Sequence, residues 1–424
     1  MISRRDALLA MAAAAAPVSR AAAKDPVILL RSGWQTVNIG DIAHTPGVLT
    51  VIERNIPNAR VILWPGRPLD IGAEPMLRRR FPKLEVLPMG GADSVPPAEA
   101  LRDAFRRADL FMHGSAAGIS SQIQVATWRK ETGKPYGFFG VGFSPAGEAA
   151  SPRVTPELHD LLSGAAFVFT RETASLGNLK KVGVKGPELD FAPDGTFSMD
   201  LRDDERGQAF LRDNRLESKR FIAIIPRLRY TPYHKFRKTE WSPEEIRRRE
   251  QANDKHAETD HAKLREVVRA WVSKTGYKAL LCPEMTYQLD IIDPLLYEPL
   301  PAEVKKNVVR RRNFWLPDEA ASVYRHAVAV ISFECHSPII AAGQGTPCMY
   351  VHQPEDGIKG HMWNDLGLGD WYFEVESTTG RDIAERLFSI HESYAASEHK
   401  VREAVTRARS LQDQAMRKVV RLIS

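Results

Sequence analysis

The chain has 424 residues, 59 Lys plus Arg against 53 Asp plus Glu for a formal net charge of +6, and 43% hydrophobic and 26% charged residues. That balance excludes a disordered chain, and a +6 partly held by Arg4, Arg5 and Arg20 is too thin for a nucleic-acid surface, which needs a concentrated basic face with stacking aromatics. It fits an anionic ligand at one site, and three cysteines in apolar surroundings, Cys282, Cys335 and Cys348, give neither a disulfide framework nor a metal-ligand spacing.

Residues 1–23 read as an address. Ser3-Arg4-Arg5-Asp6 precedes an Ala/Leu/Met run and the small-residue site Ala21-Ala22-Ala23, similar to a twin-arginine export signal, so the chain is expected in the periplasm or otherwise exported. An ordinary secretory signal or an uncleaved anchor fits the same run. No later segment has the ~18 consecutive apolar residues of a membrane helix. The remaining ~400 residues exceed one ordinary core and divide into two domains of about 190 residues, 25–212 and 215–395, with a closing helix over 396–424.

The first domain alternates strand and helix. Strands are predicted at Val27–Arg31, Arg60–Trp64, Leu84–Pro88, Leu110–Gly114, Tyr136–Gly142 and Phe167–Arg171, with amphipathic helices such as 97–107 between them. This succession makes the fold class α/β, a Rossmann-like, doubly wound parallel sheet with helices on both faces. Its chemistry lies in the turns. After the first strand comes Asn38-Ile39-Gly40-Asp41 at a helix start, where backbone amides hold an anion and Gly40 permits close approach. Small residues also close the fourth strand (His113 to Gly118) and the fifth (Gly140 to Pro145). The dinucleotide fingerprint G-x-G-x-x-G is absent, so no cofactor is expected. Arg171 ends the sixth strand and either binds an anion or pairs with Glu172 or Asp194.

The second domain opens on the apolar strand at Phe221 with Arg227 at its exit, where a guanidinium needs a ligand or an acidic partner. The stretch 229–262 reads as a polar, irregular insertion arm or lid, with a capped helix start at Ser242-Pro243-Glu244-Glu245. His256 and His261, five apart, fall on different helical faces, so this stretch reads as a solvated charged face with no metal site. Alternation then resumes to the run Ala329 to Tyr350. Its strand ends at Glu334-Cys335-His336 and a helix starts at Ser337-Pro338. A histidine at such a junction faces the ligand crevice or satisfies loop backbone, and a nearby acid raises its pKa toward acid/base use. Lys359 stands in the next loop beside His352, Asp356 and His361.

Taken together, Asn38 to Asp41, His113 to Gly118, Gly140 to Pro145, Arg171 to Ser175, Leu189 to Phe197, Arg227 and the Ser332 to Pro347 run resemble the polysaccharide pyruvyl transferase family over nearly the whole mature length. The resemblance implies two Rossmann-like domains facing a cleft (GT-B-like), and transfer of a pyruvyl group from phosphoenolpyruvate to a sugar hydroxyl of a cell-surface glycan. It also implies that Arg171 or Arg227 holds the donor's phosphate and carboxylate, that His336 is the general acid or base, and that Lys359 approaches the donor. The family usually carries arginine two residues before the histidine, whereas this chain carries Glu334. An anion there opposes phosphoenolpyruvate by roughly a few kcal/mol. Two further readings use the same residues: an enzyme with Glu334 and His336 as an acid/base pair and another donor, and an exported glycan-binding protein without chemistry.

Overall fold

The computed structural model describes residues 25–89, 98–144 and 154–423. The export signal, the start of the helix expected at 97 and Pro145 lie outside the described residues. Two all-parallel sheets organise the rest. The first has the order β3-β2-β1-β4-β5-β6-β7, from β1 (Val27–Arg31), β2 (Arg60–Leu63), β3 (Glu85–Val86), β4 (Leu110–His113), β5 (Tyr136–Val141), β6 (Phe167–Thr170) and β7 (Glu188–Phe191). The second runs β10-β9-β8-β11-β12-β13, from β8 (Phe221–Ile225), β9 (Lys278–Leu281), β10 (Val308–Arg310), β11 (Val330–Ser332), β12 (Cys348–His352) and β13 (Tyr372–Glu374).

Central strands of both sheets are continuous apolar runs because helices cover both faces. VILLR of β1 and FIAII of β8 are buried at every position. Each sheet reverses strand order once, between β1 and β4 and between β8 and β11. Loops leaving the carboxyl ends at those reversals diverge to opposite faces and leave a crevice. Asn38 follows β1, while Arg227 and His336 follow β8 and β11, so both crevices contribute to the site.

The halves share one core. A single cluster of buried apolar side chains runs from Ile28 and Ile42 through Phe197 and Ile331 to Met416 and Val419. Helix α1 (Ile39–Asn55) and the terminal helix α2 (Tyr394–Ile423) bind them together. Arg54 and Asn55 of α1 donate to Asp413 of α2, and the buried Gln412 amide donates to the Asp194 carbonyl at 2.8 Å. No helix among the described residues is long and apolar enough to cross a membrane.

The arm differs from its expected form. Residues 243–275 are one continuous helix, started by proline at its first turn and by Ser242, whose Oγ accepts from Glu245 N at 3.1 Å. Its inward stripe begins with polar residues, Asn253, Asp260 and His261, before turning apolar at Leu264 and Trp271. Asp260 and His261 are therefore buried rather than solvated. Asp260 pairs with Arg229 at 2.6 Å, and His261 packs edge-on against Phe333.

Candidate functional site

Asn38 begins the site by capping α1: its side-chain oxygen accepts from Gly40 N at 2.7 Å and Asp41 N at 3.4 Å. The same turn is joined to the loop after β9 by two backbone bonds, Ile39 N to Glu284 O and Thr286 N to Val37 O, both 3.0 Å. These bonds hold the two sheets' strand ends at a fixed separation. In the groove so formed, Asn38, Asp41, Arg227, Glu334, His336 and Lys359 line one cavity of about 230 Å³.

His336 is the first residue of a helix running to Gly343, and its ring lies against Gly40. A Cβ at position 40 would overlap that ring, which is why the helix start needs glycine here. Gly40→Ala is expected to displace the imidazole, at the ~1–3 kcal/mol that overpacking a buried site costs, and to lower turnover about tenfold to a hundredfold. Initial rates beside a melting curve check it.

The imidazole is held on both sides. Nδ1 lies 3.3 Å from Glu284 Oε1, and Nε2 lies 3.0 Å from the Nε2 of His44, a residue three positions along α1 from Asp41. Glu284 is fixed in turn by Ser337 N at 2.5 Å. Burial opposes charge on His336, but Cys335 and the Glu284 carboxylate outweigh it and hold the pKa well above the ordinary imidazole value. Behind the two rings lies Asp194. Burial works against its charge, yet His44, His336 and Arg171 keep its pKa well below the usual carboxylate range.

Arg171 does not line the cavity. It is fully buried one layer behind, with Nε donating to Glu172 Oε1 at 2.5 Å and Nη1 3.3 Å from Asp194 Oδ2. Glu172 also accepts from Ser175 Oγ at 2.6 Å, and that hydroxyl accepts from Phe143 N at 2.8 Å. Arg171, Glu172 and Ser175 are thus a buried knot that positions Asp194, and it reaches His336 through that carboxylate.

Arg227 is the cation at the cavity wall. Its Nη2 lies 2.9 Å from Asp356 Oδ1, its Nη1 donates to Gln353 Oε1 at 2.7 Å, and its Nε is 3.4 Å from Glu334 Oε2. Lys359 Nζ shares Asp356 Oδ1 at 2.9 Å. One buried carboxylate therefore serves two cations, and the pair keeps an uncompensated positive charge facing the groove.

Glu334 does not cancel that charge at neutral pH. Burial pushes its pKa up to about 8 against the attraction of Arg227, with Glu284 and Asp356 adding to the rise and Lys359 opposing it. Gln288 donates to its Oε1 at 2.8 Å. Between 4.5 and about 8 the folded chain keeps a proton that the unfolded chain has released, so this residue makes stability fall as pH rises through that window. Glu334→Gln is expected to remove that slope and raise the thermal midpoint at pH 8 more than at pH 5, an effect on the order of a few kcal/mol. Melting curves at the two pH values decide it.

Sequence reading missed His44, whose only local signal is its place three residues after Asp41, and the side of the groove built by Tyr230, Tyr233 and Arg249 of the arm.

Two parallel, doubly wound sheets with a groove between their carboxyl ends define a fold of the GT-B class. Solved structures share it. The Anabaena protein HepE in complex with UDP and glucose matches at a TM-score of 0.55 and 12% identity, over 93% of this chain and 99% of its own. UDP-GlcNAc 2-epimerase from Neisseria meningitidis, bound to UDP-GlcNAc, matches at 0.53 and 9%, over 93% and 100%. Phytolacca americana UGT2, complexed with UDP-2fluoro-glucose and pterostilbene, matches at 0.52 and 12%, over 91% and 95%. Among curated proteins no sequence matches significantly. The profile of the polysaccharide pyruvyl transferase family matches residues 38–351, and the chain belongs to that family.

Proposed function

We propose that the protein transfers a pyruvyl group from phosphoenolpyruvate to hydroxyls of a cell-surface glycan. The observation that carries this reading is the juxtaposition of Arg227 and Lys359 with the His336 imidazole on the wall of one cavity. A small donor with a phosphate and a carboxylate needs two cations close together, and an enol phosphate needs a proton donor at its methylene carbon. Family membership supports the same donor.

In this mechanism Arg227 and Lys359 bind the donor's anionic groups and orient its methylene carbon toward His336. The imidazolium gives its proton to C3, and the C2 carbon becomes electrophilic. A sugar hydroxyl oxygen forms a bond to C2 and loses its proton, the C2–O bond to phosphate breaks, and inorganic phosphate leaves. A second hydroxyl of the same sugar then adds to C2, closing a ketal. The two hydroxyl protons restore the imidazolium and protonate the phosphate. Neutral Glu334 leaves the donor's charge unopposed, which answers the conflict posed by an acid where the family has arginine.

Ser3-Arg4-Arg5-Asp6 and the small residues after it support export, which would put the enzyme beside envelope glycans. The test is incubation with phosphoenolpyruvate and purified envelope polysaccharide, with phosphate release and the ketal methyl signal read in parallel by colorimetry and NMR. Equal amounts of both are expected. Phosphate without the methyl signal, or neither with any glycan fraction, contradicts the proposal.

A further inference from the structure

Three buried ligand atoms converge behind the cavity wall. His44 Nε2 is 3.0 Å from His336 Nε2 and 3.4 Å from Asp194 Oδ2, and His336 Nε2 is 3.9 Å from that oxygen. All three atoms lie within 4.8 Å of one another. The point equidistant from the corners of a triangle with these sides is about 2.0 Å from each, which matches Zn–N and Zn–O bond lengths of roughly 2.0–2.2 Å. A position slightly out of that plane keeps the three bonds and leaves a fourth open.

The surroundings match a metal's outer shell. Ligating imidazoles present one nitrogen to the ion and the other to a carboxylate or carbonyl, which fixes ring and tautomer. Here His336 Nδ1 faces Glu284 Oε1 at 3.3 Å, while His44 Nδ1 has its nearest carboxylate oxygen, Asp41 Oδ1, at 3.7 Å and makes no direct hydrogen bond. Asp194 is pinned through its other oxygen, which accepts from Thr196 N at 2.9 Å. Two carboxylates, Asp194 and Glu284, are fully buried against the His336 ring.

We propose that His44, Asp194 and His336 bind one divalent transition-metal ion of the zinc class. Two imidazoles and one carboxylate are borderline ligands that suit such ions, whereas magnesium and calcium require oxygen-rich shells. With the ion on Nε2, His336 cannot be the imidazolium that the transferase reading requires, so the loaded protein is arrested in pyruvyl transfer. Metal and proton compete for that nitrogen.

The test reads metal rather than activity and so stands apart from the fate of the transferase reading. The full chain is treated with chelator, exchanged into metal-free buffer, loaded with zinc or cobalt(II) and measured for bound metal per chain. One ion is expected, and His44→Gln and Asp194→Asn should each weaken binding at least a hundredfold while His399→Gln, at an exposed histidine, leaves it unchanged. X-ray absorption on the zinc-loaded wild type gives a reading that needs no variant: only nitrogen and oxygen neighbours at about 2.0 Å are expected. No retained metal, a sulfur shell at about 2.3 Å, or affinity indifferent to both site substitutions overturns the proposal.

Discussion

Asparagine in place of His336 is expected to lower the rate of ketal formation by about 10²–10⁴-fold, the usual contribution of a positioned acid or base, while donor affinity changes little. Asparagine keeps a donor near Glu284 and fits the space left by Gly40, so the fold and the cations of the groove persist. What is lost is a group that carries a proton at neutral pH. Because Glu284 and Cys335 hold the imidazole's pKa well above its ordinary value, wild-type turnover should persist through pH 7 instead of falling as pH passes 6.5. The proton remains bound until the raised pKa is reached, so the decline belongs on the alkaline side. Initial rates against pH for both proteins check the size and the sign. A wild-type profile already falling between pH 6 and 7 would argue against the Glu284 contact as drawn.

Arg227→Met produces the second large effect, and it has two parts that separate. Removing the guanidinium leaves Asp356 with Lys359 and the Tyr350 hydroxyl and strips Gln353 and Glu334 of a partner; breaking a buried pair in this way costs about 3–5 kcal/mol. A melting point well below wild type is expected. Donor binding should fall with it, by a hundredfold or more, because the remaining groups around Asp356 carry no spare charge. Titration at a temperature below the variant's melting point separates the two parts: binding should stay low although the chain is folded. Binding recovered by the folded variant would show that Arg227 acts on the donor only through stability.

Much of this arrangement could be read in the chain. Arg227 and His336 stood out because each ends an apolar run, and a charged or titratable group at a strand's carboxyl end has the crevice before it. Asn38 to Asp41 was legible because capping is local: the residue that starts a helix is recognisable within four positions. Edge strands β7 and β10 were not, since their residues are only partly buried and lack an apolar run. The arm showed its helix start at Ser242-Pro243 but concealed the helix's length for a related reason. Its inward positions 253, 260 and 261 are polar and find polar partners, so a search for apolar periodicity passes over them.

An acid near His336 was legible, but the meeting of its imidazole with His44, Asp194 and Glu284 had no local signal. These residues come from α1, the turn after β7, the loop after β9 and the helix after β11, and only the docking of two sheets brings them together. Arg171 shows the converse. Its sequence setting fits an anion-binding cation, and its burial behind Asp194 makes it a support for the imidazole pair.

Calorimetric titration of phosphoenolpyruvate into the full chain at pH 7 tests the central claim most directly. The account predicts one site per chain, binding that weakens with added salt, and loss of that binding in both Arg227→Met and Lys359→Ala. Absence of binding by the folded wild-type chain, or an affinity that neither substitution alters, would contradict it.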